Sequence, residues 1–418
     1  MKKLIALSAA LNFAAAILAA SQVSLNVLDF GAKGDGAAKD TAALQKALDT
    51  CAGNGGGTVL LPEGIYLTGS LVLHANTTLQ LSSRANLLGS PDIADYPVVN
   101  VRWEGEFRDG HRALLSATDA ANVIITGGAI FGPPLPLGKL RNPRGPVLIE
   151  LTGCTNAVLE NFTTQYQQLW SIHVLSCKNL AARNLIIRTV NANGDGIDVD
   201  SCDGVTIERC DINTGDDAIS LKSGRGLAAQ NLARPTQNVV IRDCRLQSSI
   251  FAALGFGTEM SGGIRNVQIQ NCVLSGRQNC ILIKSRDGRG GFMENISGEN
   301  LTVLKSPTFI GIDLMKKGIQ ATDPVPGDVD KWPRVQNISF KNVRVQDVGA
   351  LVEGTDVPAA RPIDGFTLAD ISGTCSRAIS IANMTNVNFS AIKVTGFTGA
   401  LVKTENVHGT GLGDPAAK

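Results

Sequence analysis

The sequence predicts an all-β chain wound into a single right-handed parallel β-helix, capped at its N-terminal end by one amphipathic helix. Three observations carry that expectation. A seven-residue phrase recurs ten times at variable spacing. Glycine is abundant, at 45 residues, while aromatic residues make up only 5%, a mixture that suits short strands and tight turns. One strongly helical pattern stands alone near the start, where a solenoid needs its apolar end covered.

Residues 1–21 form a separate object. Lys2 and Lys3 precede the apolar run LIALSAALNFAAAILAA, which ends in small residues. This is the layout of a secretory signal peptide cleaved near Ala20 or Ser21. An uncleaved anchor is the alternative, because the run is near the lower limit for a membrane span. The expected product is secreted or periplasmic, monomeric, and off the membrane once the signal is removed. The net charge of +1 gives no basic excess for a nucleic-acid partner or an anionic membrane. Residues 22–404 are expected to form the β-helix, and residues 405–418, polar and Gly-rich, a flexible tail.

Within the β-helix, LNVLDFGAKGDG reads as a short strand and a Gly-rich turn. A helix follows from about Asp40 to Cys51, with Leu44, Ala47, Leu48 and Cys51 on one face. GGGTVLLPEGIYLTGSLVL then forms the first coil. The repeated phrase appears as NVIITGG at 122, NAVLENF at 156, NLAARNL at 179, GVTIERC at 204 and NVVIRDC at 238. It continues as NVQIQNC at 266, NISGENL at 295, NISFKNV at 337, GFTLADI at 365 and NVNFSAI at 386. Its starts lie 21 to 42 residues apart. A constant phrase at a variable period suits coils of parallel strands joined by loops of unequal length, each phrase being a strand followed by an Asn-containing turn. Equivalent residues then stack about 4.8 Å apart. Cys154, Cys177 and Cys202 fall two residues before the phrase, and Cys210, Cys244 and Cys272 at its seventh position. They form two interior ladders of small packing side chains, with a disulfide within a ladder as the alternative. Residues 318–333 read as a loop insertion, because the phrase resumes after them.

The stretch NGDGIDVDSCDGVTIERCDINTGDD, residues 193–217, holds eight acidic residues and one base, Arg209. Its acids alternate with Ile197, Val199, Val205, Ile207 and Ile212, so the charge sits on strands. Aligning DGIDVDSC at 195 with DAISLKSG at 217 matches Ile197 to Ile219 and Val199 to Leu221. The same frame is WSIHVLSC at 170 and NCILIKSR at 279. Trp170, Asp195, Asp217 and Asn279 then form one column, with Asp216 beside it, and Asp195 and Asp217 lie about 5 Å apart. Carboxylates this close cannot all ionise at their ordinary pKa, so at least one is raised and can act as an acid while a neighbour activates water. Turn capping and Ca²⁺ binding are the alternatives. No cluster has the His/Cys/carboxylate spacing of a catalytic metal site, and no cofactor is expected.

With these residues in place, the sequence resembles glycoside hydrolase family 28, the polygalacturonases and their relatives. NGD at 193–195 and GDD at 215–217 look like that family's paired aspartate motifs. VLDFGAKGDG at 27, RWEGE at 102, WSIH at 170 and EMSGGIRNV at 259 look like its bacterial members. The resemblance implies an inverting hydrolase of pectic polysaccharide, with Asp216 as general acid and Asp195 and Asp217 holding the attacking water. The chain departs from the family twice. The expected GHG motif falls on Phe251-Ala252-Ala253, so its His is Ala252. The RIK motif reads Leu282-Ile283-Lys284, so its Arg is lost. In the family these groups support the acid and read galacturonate carboxylates. Outward apolar residues here suggest a wall suited to a deoxy-sugar such as rhamnose.

Asn193, Lys284, Glu259, Lys222 and Trp170 are the candidate substrate-binding residues. Each has a structural alternative: Lys222 pairing with Asp200, Glu259 satisfying the SGG turn, Trp170 packing under a loop. Trp103 is expected at a cleft wall, His173 beside the cleft, and Arg286 or Arg289 as replacement for the missing Arg. A calcium-dependent lyase and a non-enzymatic carbohydrate-binding solenoid are the rival functions.

Overall fold

The computed structural model describes residues 23–133, 142–315 and 331–413. The expected signal peptide, and residues 318–330 of the expected insertion, lie outside the described residues. Among the described residues no helix is long and apolar enough to cross a membrane.

The repeated phrase is the architecture. Its fourth position pairs coil to coil from Ile125 through Leu159, Ala182, Ile207, Ile241, Ile269, Gly298 and Phe340 to Leu368, always in parallel. Gly298 interrupts the apolar column because Phe340 fills its place; a Cβ on Gly298 would lie 2.5 Å from the Phe340 ring. Burying each Leu or Ile of such a column is worth about 1.5–3 kcal/mol, and the column repeats along the whole solenoid. The first Asn of the phrase is itself a turn residue: Asn122, Asn156, Asn179, Asn238, Asn266, Asn295 and Asn337 all have φ of 55–57°. Asparagine tolerates this left-handed conformation better than other side chains. Each turn amide also donates to the one a coil earlier, as from Asn266 to Asn238 at 3.1 Å and from Asn295 to Asn266 at 3.1 Å. A second ladder follows the strand, running from Asn342 to Asn300 at 2.6 Å and from Asn300 to Asn271 at 3.1 Å. The phrase is therefore bracketed by turns on both sides.

The N-terminal helix spans Thr41–Gly53 and buries Leu44, Ala47, Leu48 and Cys51 against the first coil, the face expected. The Asp40 carboxylate accepts the Lys33 and Gly34 N–H groups at 2.6 and 3.0 Å, which fixes the Gly-rich turn below it. All nine cysteines are buried and free, so the two ladders are packing ladders. The tail boundary needs correction. Val402–Thr410 is a strand paired in parallel with Ile363–Thr395, so the last coil runs past residue 404, to 410.

One face of the solenoid carries the acidic stretch. Its strands include Ile172–Leu175, Ile197–Asp200, Ile219–Lys222, Ala252–Phe256, Asn279–Lys284 and Thr308–Asp313, stacked in that order. We call this the cleft sheet. The only antiparallel pair among the described residues is a hairpin, Val98–Trp103 with Glu106–His111, in the connection leading into the cleft-sheet strand Leu115–Thr118.

Candidate active site

The register places the expected aspartates together. The Gly196 N–H donates to the Asp217 carbonyl at 3.0 Å and the Ala218 N–H to the Ala252 carbonyl at 3.1 Å, so Asp195, Asp217 and Ala252 occupy successive coils of one column. Oxygens of Asp195, Asp216 and Asp217 all lie within 4.8 Å of one another.

Each carboxylate has a different setting. Asp216 is held by backbone donors, accepting the Asn193 N–H at 2.9 Å and the Asp217 N–H at 2.9 Å. Asn193 thus acts through its backbone, in a left-handed turn with φ of 60°, while its side chain is exposed. Burial and the adjacent Asp217 raise the Asp216 pKa, against the pull of Lys284. Asp217 accepts from the Ala252 N–H at 3.2 Å and pairs with Lys284 at 2.8 Å. Gly255 makes room for that pair, since a Cβ there would lie 2.4 Å from Asp217 Oδ2. Asp195 is also buried. Burial, then Asp198 and Asp216, push its pKa well above the usual carboxylate range, with Lys222 opposing them.

Lys222 and Asp198 complete the cluster. Lys222 Nζ lies 2.8 Å from Asp198, 3.9 Å from Asp195 and 4.0 Å from Glu259. Burial works against its charge, but the surrounding carboxylates outweigh burial and raise its pKa well above normal. Burial pushes Asp198 up to about 6 despite Lys222. The expected pairing of Lys222 with Asp200 is not made, because Asp200 pairs with Arg102 at 3.1 Å, and the Lys222 side chain is buried.

The hairpin does the enclosing. Glu104 and Gly105, at φ of 49° and 81°, form its two-residue turn, a geometry matched to strand twist. Gly105 lies so close to the sheet that a Cβ would sit 2.6 Å from Arg225 Cβ and 3.2 Å from Glu259 Cγ. Trp103 stacks on Trp170 with centroids 3.9 Å apart, and Arg144 covers its other face. The Lys222 ammonium lies 3.8 Å from the Trp170 ring centroid. At 2% and 3% exposure, Trp103 and Trp170 offer no open face. The expectation of a sugar floor at Trp170 is therefore corrected, while Trp103, expected at a cleft wall, stands outside the main core and packs on Trp170. Glu259 is likewise buried against the hairpin turn.

His173 is structural. It bonds Glu150 at 2.9 Å and faces Asp200 at 3.9 Å. Burial opposes its charge, yet those two carboxylates raise its pKa to about 9. Arg289 is fully buried, which removes it as a reader of substrate charge. Ala252 and Leu282, at 0% and 4% exposure, are also covered and do not form the expected apolar wall.

A parallel β-helix carrying three convergent carboxylates matches known proteins. Residues 100–410 match the family Glycosyl hydrolases family 28, and residues 24–130 match Rhamnogalacturonase A/epimerase, pectate lyase-like. The chain belongs to glycoside hydrolase family 28. It is 30% identical over 367 residues to a probable polygalacturonase of Vitis vinifera, covering 84% of this chain and 74% of that protein. An exopolygalacturonase structure from Thermotoga maritima superposes with a TM-score of 0.73 at 26% identity, over 93% of this chain and 92% of that one. A family 28 exopolygalacturonase from Yersinia enterocolitica shares the fold, with a TM-score of 0.80 at 22% identity over 95% and 80% of the two chains. This family 28 chain is accordingly a glycoside hydrolase of the pectin-degrading type, on a right-handed parallel β-helix.

Proposed function

We propose that this hydrolase cleaves pectic glycans with Asp216 as general acid and with Asp195 and Asp217 holding the attacking water. The observation that carries the assignment is the unequal setting of three adjacent carboxylates. Asp216 has a raised pKa and both oxygens oriented by backbone N–H groups, so it can hold a proton for the leaving oxygen. Asp217 is tied to Lys284. Asp195 Oδ1 has no protein hydrogen-bond partner among the described residues, and in the ionised form that Lys222 at 3.9 Å favours against burial it is suited to accept from water. In the reaction the glycosidic C–O bond breaks and Asp216 protonates the departing oxygen. The water oxygen bonds to the anomeric carbon as its proton passes to the carboxylate pair, and one water is consumed per bond. The 4.8 Å grouping is tighter than the about 6.5–9.5 Å of a general inverting pair, so inversion is proposed on family grounds.

The two lysines nearest the carboxylates both face aspartates, and the position of the family's Arg is Leu282. This supports a second reading, in which rhamnose-containing or otherwise decorated pectic chains are better substrates than unbranched polygalacturonate. Reducing-sugar release from polygalacturonate and from rhamnogalacturonan, followed together with ultraviolet absorbance, tests both readings. Release without absorbance is expected. A gain in absorbance would make the protein a lyase, and a strong preference for polygalacturonate would discard the second reading. The signal-like residues 1–21 support export, and a secreted or periplasmic monomer is the state we propose. Cell fractionation and gel filtration test these points.

A further inference from the structure

The hairpin crosses the full width of the cleft sheet. Its base lies in the connection entering that sheet, where the Arg112 N–H bonds the Pro97 carbonyl at 2.9 Å. Its turn rests on Arg225 and Glu259, which lie in connections leaving the sheet. It is pinned between these ends by the Trp103–Trp170 stack and the buried Arg102–Asp200 pair. Alternate residues of each cleft-sheet strand point outward, away from the core, and meet solvent unless another segment covers them. Here His173 on the coil before Asp195, Asp198 and Asp200 on the Asp195 coil, and Lys222 on the Asp217 coil are all buried, whereas Asn279, Lys284 and Asp313, on later coils, are partly open. The barrier stands close to the reacting groups. The same Lys222 ammonium touches the Trp170 ring at 3.8 Å and Asp195 at 3.9 Å, so one side chain separates the wall from the site.

From this geometry we infer that the hairpin turns the groove into a pocket for the end of a glycan chain. A chain can enter from the side of Asn279 and Lys284 but cannot continue past the Trp103–Trp170 wall. Each cut then releases one small product of fixed size, and the enzyme does not cut within the polymer. The inference rests on the proposed hydrolysis of pectic chains, and it fixes which bond of the chain is reached.

The test uses the wild-type protein on polygalacturonate and on rhamnogalacturonan. Viscosity, reducing ends and product sizes are followed in one digestion. One small product from the first time point, with viscosity falling only in proportion to the mass released, is expected. A ladder of oligosaccharides with an early collapse of viscosity would overturn the chain-end inference and leave the hydrolase assignment standing. No reducing ends from either polymer would overturn the hydrolase assignment and this inference with it. Removing the wall by Trp103→Ala with Arg102→Ala is expected to add longer products. Products unchanged in a variant with a wild-type circular dichroism spectrum would refute the hairpin as the barrier.

Discussion

Lys222→Met is the substitution that most directly probes the electrostatics of the site. Methionine keeps much of the length and the contact with Trp170 but removes the charge. Lys222 Nζ lies 3.9 Å from Asp195 and 2.8 Å from Asp198, with its side chain 7% exposed. At an effective dielectric of about 20, unit charges at that longer distance interact by about 4 kcal/mol. Two losses are expected. Stability should fall by about 3–5 kcal/mol, because buried carboxylates lose their cation. The ionised form of Asp195 loses up to about 4 kcal/mol of support, a limit of about a thousand-fold in rate wherever that form becomes scarce. Lys222 opposes the rise in the Asp195 pKa, so its removal drives that pKa higher. The acid limb of kcat/KM therefore moves to higher pH, and activity recovers as pH rises. Initial rates across pH 4–8, with urea midpoints measured in parallel, check this. A folded variant with an unmoved acid limb and kcat/KM within about threefold of wild type would refute the claim that Lys222 sustains the charge on Asp195.

Asp216→Asn should abolish hydrolysis with the circular dichroism unchanged, since an amide cannot deliver the proton; turnover near wild type would remove Asp216 from the acid role. Activity should survive exhaustive EDTA dialysis, because Lys222 and Lys284 already abut the acidic cluster; loss that Ca²⁺ restores would point to a lyase. The His173 pKa is raised from 6.5 to about 9, so its stabilisation is fully present below pH 6.5 and disappears as pH climbs through 9, by about 3 kcal/mol at most. His173→Gln should flatten that decline in urea midpoints, and an unchanged slope would assign the decline to other groups. Proton NMR of the first-formed sugar should show the inverted anomer, and retention would contradict the proposed water attack.

Much of this was legible in the sequence because a β-helix converts spacing into stacking. Once WSIH, DGID and DAIS were put in one frame, the adjacency of Asp195 and Asp217 followed from strand spacing, and the observed pairing of Ile197 with Ile219 is the same frame. The helix face from Leu44 to Cys51 was readable for a similar reason, since local periodicity fixed it. The partners of Lys222 escaped because its flexible stem leaves its own row and reaches Asp198 and Asp195 a coil away. The stacking of Trp103 on Trp170 escaped because 67 positions separate them, and the hairpin that joins them lies outside the repeat. The covered state of Leu282 and Ala252 was equally out of reach of an alternation rule, which describes a bare sheet. The tail was misjudged from composition: KTENVHGT is polar and largely exposed, yet its backbone has a strand edge to join.

The unbroken stacking of the cleft sheet has an evolutionary corollary. Asp195, Asp217, the Ala252 N–H and Lys284 come from four consecutive turns of the solenoid. Duplicating or deleting a turn within residues 193–284 would displace half of the reacting groups by a whole strand spacing, about 4.8 Å, and destroy the chemistry in one event. The same change beyond residue 310 would alter only how much chain is gripped. The solenoid is thus indivisible at its centre, and lineages of this enzyme can be expected to differ in coil number outside residues 193–284.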